Sequence, residues 1–113
     1  MSDRLHLDHI VSRIERIARY TVDGEAVFLR DDKTQDAVLR NLHTLAESTQ
    51  RLSEDLKQRH PEVDWRAVSG FRNVIVHNYL GLDPKQVWTI IEHDLPVLAL
   101  TVARMRAGLG DDA

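Results

Sequence analysis

From Val38 onward, apolar residues return at steps of four and three: Val38, Leu42, Leu45, Leu52 and Leu56, with Thr49 filling the one place where an aliphatic residue is missing. A step near 3.5 residues holds all of these side chains on one side of a helix for about five turns. A strand cannot do this, because its faces alternate at every residue. So long a seam has to be covered by other helices lying nearly antiparallel to it. The rest of the chain supplies them. Leu7, Ile10, Ile14 and Ile17, widened by Val11 and Ala18, form one stripe, and Val87, Ile90, Ile91, Leu95, Leu98 and Val102 form another. Alternating β-branched runs are missing, and three prolines and five glycines leave long helical segments between them. The expectation is an all-α, up-and-down four-helix bundle. It forms one domain over residues 1–113, with 108–113 a frayed tail.

Helix ends follow from local chemistry. Ser2 or Asp3 can cap a first helix that runs to about Val22. Asp23-Gly24 is a turn, and Val27, Phe28 and Leu29 are expected to pack beneath the connection. Asp31 or Asp32 opens the second helix, which should stop before His60-Pro61 because proline disfavours helix at the residue ahead of it. Asp64 can cap the third helix, which should end near Gly81. Asp83-Pro84-Lys85-Gln86 opens the fourth, with Asp at N-cap and Pro in the first turn. Pro96 lies inside the fourth apolar stripe. It is expected to kink or split that helix, with Asp94 able to cap the second part.

Composition narrows the function classes. The chain is 42% hydrophobic and 29% charged, as in folded globular proteins rather than disordered ones. No apolar run reaches the ~20 residues that span a bilayer, so no membrane segment is expected. Residues 1–6 carry no signal-peptide core, so a cytoplasmic location is expected. Without cysteine there are no thiolate or disulfide sites. A net charge of −3 argues against broad electrostatic binding of nucleic acid and requires any RNA contact to be local.

Polar residues that carry chemistry gather on the third helix, in Trp65–Tyr79. At about 100° per residue, Val68, Phe71, Ile75, Val74 and Ala67 share the core side. Ser69, Asn73 and His77 form a row on the other side. Arg72 lies at its edge, about 140° from His77, with Tyr79 close to Arg72. Gly70 falls beside His77 on the wheel and leaves room there for another backbone or a substrate. Val76 and Leu80 interrupt this polar arc, which suggests that a second copy of the same face covers it. Histidine is suited to proton transfer near neutral pH and arginine to gripping phosphate, while Asn73 can orient the imidazole or donate to a phosphate oxygen. Together they suit cleavage of an RNA phosphodiester by its own 2′-hydroxyl, with no metal or other cofactor. A second row on the first helix, His6, His9, Arg13, Arg16 and Tyr20, reads either as a phosphate-contacting edge or as an ordinary solvated flank. His6 and His9 lack an evident third metal ligand.

The segment Arg72-Asn73-Val74-Ile75-Val76-His77-Asn78-Tyr79 resembles the signature of the HEPN superfamily, in its HepT toxin-like branch. The resemblance continues through Asp32–Arg40, Val68–Asn73, Val87–Ile91 and Asp94-Leu95-Pro96, covering about residues 4–105. The chain departs from many relatives at Leu45-Ala46-Glu47-Ser48, where they carry Gly-Glu-Ala. The resemblance implies a homodimeric, metal-independent endoribonuclease acting as the toxin of a type VII toxin–antitoxin pair. It implies Arg72 and His77 as catalytic residues at a composite dimer-interface site, with Asn73 as the polar auxiliary. It also implies a minimal nucleotidyltransferase antitoxin, MntA, that transfers AMP to Tyr79. Ser69, Arg13 and Arg16 are expected to help hold the RNA. The competing reading is a non-catalytic helical module that binds a nucleotidyltransferase.

Overall fold

The computed structural model describes residues 2–79 and 83–109, with backbone alone for 77–79. Seven α-helices and one π-helical turn account for nearly all of them, and no strand occurs among the described residues. Four long helical segments form the expected all-α bundle. They are α1 (Asp3–Tyr20), α3 (Asp32–Gln50), α5 (Trp65–Tyr79) and a continuous run made of α6 (Pro84–Thr89), a π turn (Ile90–Asp94) and α7 (Leu95–Leu109). Two short helices, α2 (Glu25–Arg30) and α4 (Glu54–Gln58), fill connections.

The apolar seam does what its spacing requires. Val38, Leu42, Leu45, Thr49, Leu52 and Leu56 are all buried. They place α3 and its continuation between α1 on one side and α5 on the other. α1 in turn packs on α7, and α6 touches both α2 and α5, closing the ring. The core is completed by Leu7, Ile10 and Ile17 of α1, Val68, Phe71 and Ile75 of α5, and Leu98, Val102 and Met105 of α7. Phe28 of α2 is buried and meets Trp88 of α6 with ring centroids 5.4 Å apart, a tilted aromatic pair that ties the first connection to the last helix. Thr49 satisfies its hydroxyl inside the seam by donating to the Ala46 carbonyl at 2.7 Å.

Most expected caps form. The Ser2 hydroxyl accepts from the Leu5 amide, Asp31 from Lys33, Asp64 from Ala67 and Asp83 from Lys85. The Thr34 hydroxyl also donates to Asp31 at 2.8 Å, and that bond leads in holding the Asp31 carboxyl below its usual value.

The structure corrects several boundaries. The second helix does not run unbroken to His60. It ends at Gln50, and α4 restarts at Glu54, because Ser53 caps Leu56 while its own N–H and Oγ–H donate to Asp3 at 2.9 and 2.8 Å. Residues 25–30, given no helix in the expected scheme, form the short helix α2, with Phe28 buried beneath the connection as expected. Asp94 caps nothing, since the last helix does not split. Its backbone widens into the π turn just before Pro96, and the Leu95 N–H reaches back to the Ile90 carbonyl. The longer ring opens space where the proline lacks an N–H and its ring would press on the preceding turn. Gly108 and Leu109 belong to the last turn of α7, and residues 110–113 of the expected tail lie outside the described residues. Ala18 and Ala67 are exposed rather than part of the core.

Candidate functional site

The motif residues stand on α5, and its outward orientation follows from what it buries. Val68, Phe71 and Ile75 point inward, which leaves Ser69, Arg72 and Asn73 on the exposed side. The start of this helix is fixed firmly. Besides the Asp64 cap, the Trp65 indole N–H donates to the carbonyls of Lys57 and His60 at 3.1 and 3.0 Å, which also accept from the backbone N–H groups of His60 and Val63, so the indole ties α5 to the turn after α4. Val76, also on the outer side, is 57% exposed. A Cβ placed on Gly70 would meet no atom within 4 Å, so this face is open at the middle of the helix. The side chains of His77 and Tyr79, and residue Leu80, lie outside the described residues, although the helix itself continues to Tyr79.

The expected site residues fall into three places. Arg72 and Asn73 are exposed and line neither of the two clefts that hold the other expected residues. Ser69 is at the mouth of a cleft of about 730 Å³ at the head of α5, with Lys57, Gln58, Trp65 and Arg66 among its walls. Lys57 is held there by Glu54 at 3.0 Å. Arg13 and Arg16 belong to a separate cleft of about 600 Å³ between α1 and α3. The row on α1 is therefore not one edge: His6 is buried and His9 exposed, while Arg13, Arg16 and Tyr20 line the second cleft. Reading the sequence alone missed Arg40 and Asn41, which α3 brings to the same cleft. An asparagine bordering an apolar seam is the only local hint of them.

Charge is perturbed elsewhere. Glu62 is held below its usual carboxyl value, first by a bond from its own backbone N–H and then by His60 at 3.1 Å. Asp94 is pushed above the usual range by burial, with Asp64 adding to the effect and His93 opposing it. No group of three or more His, Asp or Glu side chains capable of holding a metal occurs among the described residues. No helix among the described residues is long and apolar enough to cross a membrane.

An all-α bundle that presents an arginine and an asparagine on the outer face of its third long helix, with a histidine and a tyrosine further along, defines a class also found by sequence comparison. The chain belongs to the HepT-like ribonuclease family, whose model matches residues 10–105. It is 33% identical over 106 residues to a protein of Thermococcus cleftensis named "Probable ribonuclease HepT", covering 93% of this chain and 96% of that one. It is 35% identical over 94 residues to a Methanocaldococcus jannaschii protein named "Putative RNase MJ0127", covering 82% and 78%. A Caldanaerobacter subterraneus protein named "Putative RNase TTE0752" is 26% identical over 99 residues, covering 84% and 86%. No solved structure matches the chain.

Proposed function

We propose that this protein is an endoribonuclease that works without a metal and serves as the toxin of a HepT/MntA pair. The observation that carries the reading is the exposure of Arg72 and Asn73 on α5, in the segment Arg72-Asn73-Val74-Ile75-Val76-His77-Asn78-Tyr79, inside a family match that spans most of the chain. In the proposed reaction the RNA 2′-oxygen attacks the adjacent phosphorus, and the bond from phosphorus to the 5′-oxygen breaks. A 2′,3′-cyclic phosphate and a free 5′-hydroxyl result. His77 moves the proton, as general acid or base, between the attacking and leaving oxygens. Arg72 stabilises the charge of the pentacovalent phosphate, and Asn73 donates to a phosphate oxygen or orients the imidazole.

The open setting of Arg72 and Asn73 favours a site completed by a second copy. One chain supplies a surface, and two identical surfaces facing each other across a two-fold axis supply a cleft. The exposed Val76 gives that contact an apolar element. The antitoxin proposed for the pair is a minimal nucleotidyltransferase, MntA, that moves AMP from ATP to the Tyr79 oxygen with release of pyrophosphate. The added phosphate would engage the site arginines and repel RNA.

Expression of the chain alone should arrest growth, and Arg72→Ala and His77→Ala should each relieve the arrest and abolish cleavage of purified RNA. Arrest that persists in both variants would overturn the catalytic assignment. If RNA stays intact with the parent protein while the protein still co-purifies with a nucleotidyltransferase, the chain is instead a non-catalytic binding module. For the regulatory step, mass spectrometry should find one or more AMP units on Tyr79 after incubation with MntA and ATP. An unmodified tyrosine under those conditions removes that step alone.

A further inference from the structure

We propose that the cleft between α1 and α3 is a track for the RNA backbone, in which Arg13, Arg16 and Arg40 take successive phosphates and Tyr20 offers a face for a base. The inference rests on the ribonuclease reading and extends it to how substrate is held away from the reacting bond.

The cleft brings together three guanidinium groups from two helices, against Asp36 as its one carboxylate. Its lining is therefore positive in a chain whose net charge is −3. No ion pair engages Arg13, Arg16 or Arg40 among the described residues. Arg59 and Arg106, by contrast, are bound to Asp55 and Asp8. Arg13 is positioned rather than loose. Its Nη1 donates at 3.4 Å to Oδ1 of Asn41, a residue only 5% exposed, whose Nδ2 donates in turn to the Ala37 carbonyl at 2.8 Å. The Arg13 Nε is itself buried and has no hydrogen-bond partner among the described residues. A buried carboxamide is costly unless its bonds are satisfied. Here its oxygen faces the Arg13 guanidinium in the wall of the cleft.

The dimensions favour a strand over a single anion. Arg13, Arg16 and Tyr20 extend over about 10 Å of α1, and the cleft volume of about 600 Å³ is far larger than one phosphate. Tyr20 is 41% exposed at one end of the row. Guanidinium groups along a groove with an aromatic platform are the parts with which proteins hold single-stranded nucleic acid without reading its sequence.

The test measures binding of a labelled single-stranded RNA dodecamer by fluorescence anisotropy between about 50 and 200 mM KCl. The full chain carries His77→Ala so that RNA is not consumed. Arg16→Gln with Arg40→Gln, both at exposed positions, should weaken binding about tenfold at low salt and reduce the salt slope by roughly 1.4. Adding Arg13→Gln should weaken it further. A control pair at exposed arginines elsewhere, Arg51→Gln with Arg104→Gln, should change neither. Unchanged affinity and slope in the cleft variants would overturn the proposal, as would an equal loss in the control pair. Displacement of RNA by inorganic phosphate or AMP at matched ionic strength would show a small-anion site and also overturn it. Cleavage by the chain with His77 intact is scored separately. A parent that cleaves RNA with the cleft variants binding normally sinks the track alone. A parent that binds through these arginines but never cleaves sinks the catalytic reading alone. No RNA binding at all sinks both.

Discussion

Asp94 is the residue whose surroundings make the clearest statement about pH. Burial raises its carboxyl, Asp64 adds to the effect, and His93 works against it. The folded state thus holds this proton more tightly than the unfolded chain does. Its contribution to stability is most favourable in acid and falls as pH rises from the ordinary carboxylate value through the raised one. Asp94→Asn keeps the shape and removes the ionisation. The variant should melt above the parent at pH 7, and the gap should close below about pH 4. A gap that stays constant with pH would mean that packing, not charge, sets the difference. At the same scale, the outward placement of Arg72 and Asn73 needed no tertiary information. Asn41 did, because its role depends on a guanidinium from another helix.

Among the elements, α5 joins a firmly fixed start to an open outer face. Its glycine is a sensitive probe of that face. Gly70 lies within the helix, and a Cβ there meets nothing in a single chain, so Gly70→Ala should raise stability by about 1 kcal/mol in urea unfolding. If another backbone or the substrate approaches at this point, the same change should lower RNA cleavage. A variant that is both more stable and fully active would place the approach elsewhere. The last helix teaches a different lesson. Proline was expected to kink or split it, and the helix kinks without splitting, its backbone widening into one π turn just before Pro96. Val87, Ile90, Leu95, Leu98 and Val102 consequently stay buried on both sides of the turn. A proline constrains its own nitrogen and the turn before it, while continued burial decides whether the helix survives.

For the molecule as a whole, the proposed dimer makes Val76 the position to attack. Val76→Asp puts a charge on a side chain that is mostly exposed in one chain, so it should leave the monomer folded. Two such charges facing each other across a two-fold contact would repel. Light scattering after gel filtration should show the parent as a dimer and the variant shifted to monomer, with RNA cleavage lost in parallel. A variant that remains dimeric and active would move the interface away from this face.

Fold class, the four long helical segments, the buried seam and the outward side of α5 were determined by the sequence alone. Each depends on periodicity and capping, which act within a few turns of the chain. Tertiary structure decided the break after Gln50, where Asp3 binds Ser53 across fifty positions of sequence. It also decided the π turn, which only packing on both sides could hold together. The cationic cleft was settled at this level too, since Arg13 and Asn41 stand 28 positions apart and meet only because α1 lies along α3. Local spacing states which face a side chain takes, but not which neighbour that face will find.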